Sequence, residues 1–330
     1  MERSKQIVVI LLVVTLCHLA GCNKSDPLPS WNEGPTKSAI ISFVERVTKN
    51  GGRDFVPPAE RIAAFDSDGT LWSEQPMPFQ VAFAIDRINE IAPKHPEWRQ
   101  KEPFKSVLAG DTQGAVARGE EEMNALLGAG CAGMTTEEFS GAVKSWLAMA
   151  RHPLLNRRYT ELVFQPMAEL IAYLRASGFR TIIVSGDYVD LVRPMAARAF
   201  GVTPEQVIGN SLNLKYEIKG GRPLLFLMPE NDSGDADAGK PAGIQKSIGL
   251  KPIFAAGNSD SDREMIEWVT SGSGARLGMI VHHTDAEREW AYDRESAVGR
   301  LDEALKRAPE KKWLVVDMRK DWNVVYTLLK

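Results

Sequence analysis

The stretch Arg61-Ile-Ala-Ala-Phe-Asp66-Ser67-Asp68-Gly69-Thr70-Leu71-Trp72 decides how the rest of the chain is read. A short apolar run, the pattern of a strand buried on both faces, stops abruptly at two carboxylates one residue apart. At the carboxyl end of a strand the chain leaves the sheet, and open α/β sheets hold their ligands in the crevice there. Asp66 and Asp68 can then converge on one ligand. Gly69 gives the backbone freedom for a tight exit, and Thr70 offers a hydroxyl able to tie the loop to its own backbone. Asp-Ser-Asp-Gly is also an ordinary turn composition, so the stretch alone leaves turn and active site both open.

Two further strands run into polar ends. Thr181 to Val184 leads into Ser185-Gly186-Asp187, and Pro252 to Ala256 leads into Gly257-Asn258-Ser259-Asp260-Ser261-Asp262. Pro166 suits a first helical turn, Met167, Leu170, Ile171 and Leu174 form an apolar face, and Gly178 is a stop signal. Val189, Val192 and Ala196 mark a helix after Asp187. Residues 207 to 228 alternate around Lys219-Gly220-Gly221, which predicts a β-hairpin. Leu277 to Val281 and Trp313 to Val316 are further strand candidates. Strands alternating with helices predict an α/β fold, a three-layer Rossmann-like parallel sheet, with its carboxyl ends on one edge. Asp237-Ala238-Gly239-Lys240-Pro241, a helix start carrying a lysine, falls between the second and third polar ends.

This order resembles the haloacid dehalogenase superfamily, whose motifs are DxDxT, a strand-terminal Ser or Thr, a Lys, and an acidic pair after a strand. The resemblance runs from residue 61 to about residue 270. Singly each motif is weak, since such a serine is more often a cap or turn hydroxyl and such a lysine a solvated charge. It implies the superfamily's fold and a phosphate-monoester chemistry in which Asp66 attacks phosphorus to give an aspartyl-phosphate. Asp68 then serves as general acid and afterwards as general base. Ser185 hydrogen-bonds the phosphoryl group, and Lys240 neutralises Asp66 and the phosphoryl oxygens. Two carboxylates so close call for Mg²⁺, a hard ion preferring oxygen ligands. It is expected on the Asp66 carboxylate, the Asp68 backbone carbonyl and a group from the third strand end. There the chain departs from the family, in which Gly is followed directly by Asp and then by a second Asp four residues on. Asn258 fills the first place and Asp262 the second. Asn258 is the expected ligand, Asp262 its neighbour bound to waters or to Lys240, and Asp260 an alternative ligand through a different loop conformation.

Residues 74–159 carry helical stripes and no convincing strand, and predict an inserted cap, with the catalytic core over 37–73 and 160–330. Phe79, Ala82, Phe83, Ile85 and Ile88 recur at helical spacing. Thr135 or Thr136 is a candidate N-cap for a helix burying Phe139, Val143, Trp146 and Leu147. The insertion and the hairpin are similar to the phosphoserine phosphatase branch, where the cap and the residues after the first motif choose the substrate. Candidate substrate contacts are Thr70, Trp72, Glu74, Gly186 and Asp187; for Trp72 packing against the cap is the favoured reading, and for Glu74 a structural role is an equal contender. In that branch two glycines follow the serine. Here Asp187 takes the second place, and a carboxylate there repels acidic substrates and attracts cationic ones, so phosphoserine is not the expected substrate. His282 and His283, being adjacent on a strand, face opposite ways and predict structural roles. His152 with Arg151, Arg157 and Arg158 reads as a solvated face, or else as an anion-gathering rim. Two alternatives stand beside the phosphatase: a phosphotransferase or mutase, and a binding lipoprotein with decayed catalysis, for which Asn258 is the best support. Dehalogenation is disfavoured because that branch lacks the second Asp.

The 330-residue chain, 44% hydrophobic, can bury a sizeable core. At its start, Arg3 and Lys5 precede an apolar run from Ile7 to Cys17 and then Leu19-Ala20-Gly21-Cys22, the order of a secretory signal over residues 1–21. Leu19 to Cys22 resemble a bacterial lipobox, which implies lipidation of Cys22, a membrane anchor and a periplasmic address. Asn23 favours the outer membrane over the inner. A cleaved soluble export signal with an incidental cysteine is the alternative. Residues 22–36 read as a tether. Loss of Glu2, Arg3 and Lys5 with the signal leaves 38 basic and 42 acidic residues, a net charge of −4. That balance argues against a nucleic-acid surface. Cys131 is left without an intramolecular disulfide partner.

Overall fold

The computed structural model describes residues 26–111, 114, 120–231 and 239–326; the expected signal peptide, Cys22 and the pair Asp237-Ala238 lie outside them. The strands are β1 (Ile62–Phe65), β2 (Arg180–Tyr188), β3 (Val207–Asn210), β4 (Leu212–Lys219), β5 (Arg222–Asn231), β6 (Phe254–Gly257), β7 (Leu277–His282) and β8 (Leu314–Asp317). Six of them form one parallel sheet in the order β3-β2-β1-β6-β7-β8. The apolar run of β1 is central because it can be buried on both faces. Ile62 and Ala64 join one core cluster, Ala63 and Phe65 the other. From β1 the sheet grows one way through β2 and β3 and the other way through β6 to β8, so the carboxyl ends of β1 and β6 flank the switch in strand order.

The helices are α1 (Pro35–Thr48), α2 (Phe79–Ile91), α3 (Phe104–Leu108), α4 (Glu120–Cys131), α5 (Thr136–Met149), α6 (Gln165–Ala176), α7 (Val189–Phe200), α8 (Gly239–Ile248), α9 (Arg263–Thr270), α10 (Glu303–Lys311) and α11 (Met318–Asp321). On one side of the sheet α1, α6 and α7 contribute Phe43, Leu170 and Val192; on the other α8, α9 and α10 contribute Ile244, Ile266 and Ala304. The result is the three-layer α/β fold that the alternation predicts. Helices α2 to α5 build the cap. Thr135 caps α5, its hydroxyl accepting from the Glu138 N–H at 3.1 Å while the Glu138 carboxylate accepts from the Thr135 N–H at 2.8 Å.

Four expectations need correction. The tether predicted for residues 22–36 does not extend over 26–36. Leu28 and Trp31 are buried, Trp31 Nε1 donates to the Pro166 carbonyl at 2.9 Å, and α1 already starts at Pro35. Two anchoring apolar side chains suffice to dock a segment whose composition is otherwise polar. Second, Val207–Asn210 is not part of the hairpin but pairs with β2 as an edge strand of the main sheet. A period-2 pattern continues unchanged where a chain passes from one sheet to another. Third, β2 does not end at Val184. It runs to Tyr188 with a register shift between Val184 and Tyr188, so Ser185 sits in an irregular part of the strand. Fourth, the β4–β5 hairpin, assigned by position to the core, joins the cap: Leu227 donates to the Met134 carbonyl at 2.8 Å and accepts from the Gly133 N–H at 3.1 Å.

Burial of residues 26–36 has a measurable consequence. Trp31→Ala removes a side chain that is 1% exposed and packed edge-on against Trp322. It is expected to lower the free energy of unfolding in urea by about 3–5 kcal/mol. A loss below about 0.5 kcal/mol, typical of surface positions, would restore the tether reading.

Candidate active site

Pairing persists for one residue beyond β1, the Asp66 N–H donating to the Ala256 carbonyl at 2.9 Å, and the chain then folds tightly back. Leu71 N–H donates to the Ser67 carbonyl at 2.7 Å and Gly69 N–H to the Trp72 carbonyl at 2.8 Å. Gly69 has φ +70, and a Cβ there would lie 2.1 Å from Asn258 Nδ2 and 2.2 Å from Glu74 Oε1. Only glycine meets both demands. His283 holds the outside of this turn: its Nε2 donates to the Gly69 carbonyl at 2.7 Å, and its Nδ1 faces Glu289 Oε2 at 3.1 Å.

Lys240, in the first turn of α8, reaches Asp66 Oδ1 and Asp262 Oδ1, each at 2.5 Å. Asp262 is fully buried, and its second oxygen accepts from the N–H groups of Asn258 and Ser259 at 2.9 and 3.0 Å. It is the expected partner of Lys240 and not a direct metal ligand, since both oxygens are committed to Lys240 and to the loop. Burial alone would depress the Lys240 ammonium, but the charges of Asp262 and Asp66 outweigh it and hold the group above the ordinary lysine value. Burial, then the Asp262 charge, push Asp66 up to about 8 in spite of Lys240.

Asp68 accepts from Trp72 Nε1 at 2.5 Å and lies against the Asp187 carboxyl. Burial first, then the charge and hydrogen bond of Asp187, lift it well above the usual carboxylate range, which favours its protonated form. Burial pushes Asp187 up to about 6 and Glu74 to about 7. Ser185 Oγ lies 2.7 Å from Ser67 Oγ and accepts from the Asp187 N–H at 3.0 Å.

Asn258 stands between Glu74 and Thr70. Its Nδ2 donates to Glu74 Oε1 at 2.6 Å, which turns Oδ1 toward Thr70 Oγ1 at 3.1 Å, and the same hydroxyl lies 3.1 Å from Asp66 Oδ2. One hydroxyl hydrogen cannot serve both acceptors. An Asp66 carboxylate oxygen and the Asn258 amide oxygen thus meet in a buried, anion-rich place with too few donors, a donor set that fits Mg²⁺. With the Asp68 backbone carbonyl from the same loop they are the residues that would hold it. Among the described residues, no group of three His, Cys, Asp or Glu side chains could hold a metal. Asp260, the alternative ligand, is engaged elsewhere: its Oδ1 accepts from the N–H groups of Asp302 and Ala304 where α10 begins.

Asp66, Asp68, Glu74, Ser185, Gly186, Asp187 and Lys240 line one cavity of about 510 Å³, closed from the cap side by Gln80, Met123 and Leu127. Two expected substrate contacts do not line it. Thr70 is fully buried against Asp66 and Asn258, and Trp72, 1% exposed, packs between Phe79 and Phe200 while holding Asp68. The basic cluster is not simply a solvated face, because His152 is buried, with Nε2 donating to the Gln75 carbonyl at 2.6 Å. His282 and His283 do point to different partners, Asp293 and the Gly69 turn.

The family model of haloacid dehalogenase-like hydrolases matches residues 63–267, more than half of the chain. The chain belongs to this hydrolase family. No curated protein matches the chain. A conserved, functionally unknown protein from Anaerococcus prevotii DSM 20548 superposes with a TM-score of 0.54 at 13% identity, over 89% of this chain and 94% of that one. A protein of unknown function from Bordetella pertussis Tohama I gives 0.47 at 16%, over 78% and 99%. A probable phosphoserine phosphatase from Vibrio cholerae gives 0.36 at 17%, over 79% and 68%.

Sequence reasoning passed over Gln80, Tyr292 and Gly299. Tyr292 donates to Glu74 Oε1 at 2.7 Å from 218 residues away, and a Cβ on Gly299 would lie 2.0 Å from that same oxygen. No local pattern marks either.

The raised acids set a pH dependence for this hydrolase without metal. Glu74 and Asp187, like Asp68, keep protons in the folded state that the unfolded chain releases near pH 4. Stability is therefore full below about pH 4 as far as these groups go, and falls as pH rises through 6 and 7. Buried His152, whose pKa is lowered, opposes them with a single group. Calorimetry in chelator is expected to show a lower Tm at pH 8.5 than at pH 6, with added Mg²⁺ raising Tm most at the higher pH. A Tm that rises over this interval in chelator would contradict the buried acids.

Proposed function

We propose that this hydrolase is a Mg²⁺-dependent phosphatase that cleaves small phosphate monoesters through an aspartyl-phosphate on Asp66. The observation that carries the reading is the convergence of Asp66, Asp68, Ser185 and Lys240 on one cavity at the carboxyl edge of the sheet. Asp66 is the nucleophile. Lys240 offsets its charge and that of the incoming phosphoryl oxygens, which would otherwise repel it. Ser185 and Ser67 present hydroxyls toward the same cavity and supply donors to the equatorial oxygens. Asp68 carries the proton that the leaving oxygen takes, and the carboxylate so formed draws a proton from the water that clears the intermediate. Bound Mg²⁺ supplies positive charge that offsets the phosphate and Asp66 during attack.

Phosphate release from an aryl phosphate by the purified protein is expected to require Mg²⁺, and Asp66→Asn to lower it by at least about 10³-fold, the scale of losing a group that acts as a unit with its neighbours. Release that Asp66→Asn leaves intact would remove the covalent mechanism. Adding a short alcohol separates hydrolysis from phosphoryl transfer, because transfer lowers free phosphate while consuming the same ester.

The location is part of the proposal. The signal-like residues 1–21 and Cys22 support a lipid-anchored periplasmic enzyme, with the outer membrane favoured by Asn23. There it would strip phosphate from small organic esters for uptake or detoxification. Among the described residues no helix is long and apolar enough to cross a membrane. In cells given radiolabelled palmitate the protein is expected to be labelled, and Cys22→Ser to abolish the label. Equal labelling of both would discard the anchor.

A further inference from the structure

Breaking a phosphate ester does not require a carboxylate without a cation and an unmet amide oxygen beside the general acid, yet the cavity contains both. Asp187 is 8% exposed and accepts from Gln80 Nε2 through one oxygen. Apart from the Asp68 carboxyl that it touches, its Oδ2 meets no donor, and the buried Gln80 Oε1 meets none at all. Both residues line the cavity, where Lys240 is the one cation among the described residues and is already shared by Asp66 and Asp262. Beside them the cap supplies apolar surface from Val81, Met123 and Leu127. Buried acceptors want donors, and a buried carboxylate wants a positive charge.

We propose that the leaving group is a short primary amino alcohol, its ammonium bound by Asp187 Oδ2 and Gln80 Oε1 and its methylenes lying against Val81 and Met123. This rests on the phosphatase reading and narrows its substrate. The Asp187 carboxyl touches that of Asp68, which must itself reach the ester oxygen, so the ammonium site lies about one carboxyl group from the breaking bond. Two carbons between nitrogen and oxygen match that spacing. In the reaction the bond from phosphorus to the alcohol oxygen breaks, Asp68 protonates that oxygen, and the free amino alcohol departs. Water then cleaves the Asp66 acyl phosphate to give inorganic phosphate. A carboxylate on the leaving group would face Asp187 and Glu74 without a cation to meet it. A quaternary ammonium carries charge but no N–H for Gln80.

The test is calorimetric binding of 3-aminopropylphosphonate, butylphosphonate and 3-carboxypropylphosphonate, in which a methylene replaces the ester oxygen, to the full chain in detergent with Mg²⁺. It reads the subsite whether or not the protein turns over an ester. The amine is expected to bind at least about tenfold more tightly than the butyl isostere, on the scale of a charge-assisted hydrogen bond, and the acid most weakly. Asp187→Asn should bring amine and butyl compounds to within about threefold, and Gln80→Leu, which leaves the carboxylate in place, should narrow the gap. Equal binding of amine and butyl compounds by the unaltered protein would overturn the proposal. So would an Asp187→Asn that weakens all three ligands alike, since Asp187 would then serve Asp68 rather than the leaving group. Failure to hydrolyse an aryl phosphate would instead overturn the phosphatase reading, while the binding preference would still report on the subsite.

Discussion

The ammonium of Lys240, held between Asp66 and Asp262, is the interaction on which the site depends. It ties together three stretches remote in sequence: the end of β1, the start of α8 and the loop after β6. A buried charge is costly unless its partners are close and their remaining atoms are bonded. Asp262 meets that condition, because its second oxygen is occupied by the N–H groups of Asn258 and Ser259. Removing any member would leave an uncompensated charge in the core as well as an altered nucleophile. Stability and chemistry are thus linked at one lysine.

Around that triad the site is deliberately short of positive charge. Asp66, Asp68, Glu74 and Asp187 share a cavity that Lys240 alone, among the described lining residues, offsets. The imbalance separates the two catalytic candidates. Asp66 has the ammonium at one oxygen, whereas Asp68 has the neutral indole of Trp72 and the carboxyl of Asp187. A carboxyl beside a cation is suited to attack; one beside another carboxyl is suited to carry a proton. The same excess of oxygen gives the neutral Asn258 amide a place as a metal ligand. A further carboxylate there would add repulsion to a site already rich in it.

What the sequence showed follows from which information is local. Asp66, Asp68, Ser185 and Lys240 each stand at or near the end of a strand or the start of a helix, and element ends can be read from apolar runs and breakers. Parallel order then brings those ends to one edge. Trp72 and Thr70 were legible as residues near the site but not in their task, because only packing decides that Trp72 turns inward between Phe79 and Phe200. Glu74 was legible as a residue near the first motif but not in its partners. Its meaning comes from Asn258, Tyr292 and Gly299, which the chain delivers from far beyond the first motif. The docked segment around Trp31 escaped for a related reason: composition averages over a stretch, while burial is decided by single side chains.

The cap and the core divide the work along the cavity wall. Groups that act on phosphorus stand on the rigid sheet edge, whereas Gln80, Met123 and Leu127, on the leaving-group side, come from inserted helices. Ties between the two parts are apolar as well as polar, Trp72 packing on Phe79 within one shared cluster. Tyr188 donates from the end of β2 to Asn124 on α4 at 3.0 Å, and Gln80 reaches Asp187. The hairpin strengthens the cap from outside by extending it through Leu227 rather than by adding to the main sheet. Substitutions on the cap can therefore change which alcohol is accepted without moving Asp66 or Lys240. Asp187 is the exception, since it lines the cavity from a core strand and also touches Asp68. At that position specificity and rate cannot change independently, because any side chain that alters the proposed ammonium pocket also alters the environment of Asp68.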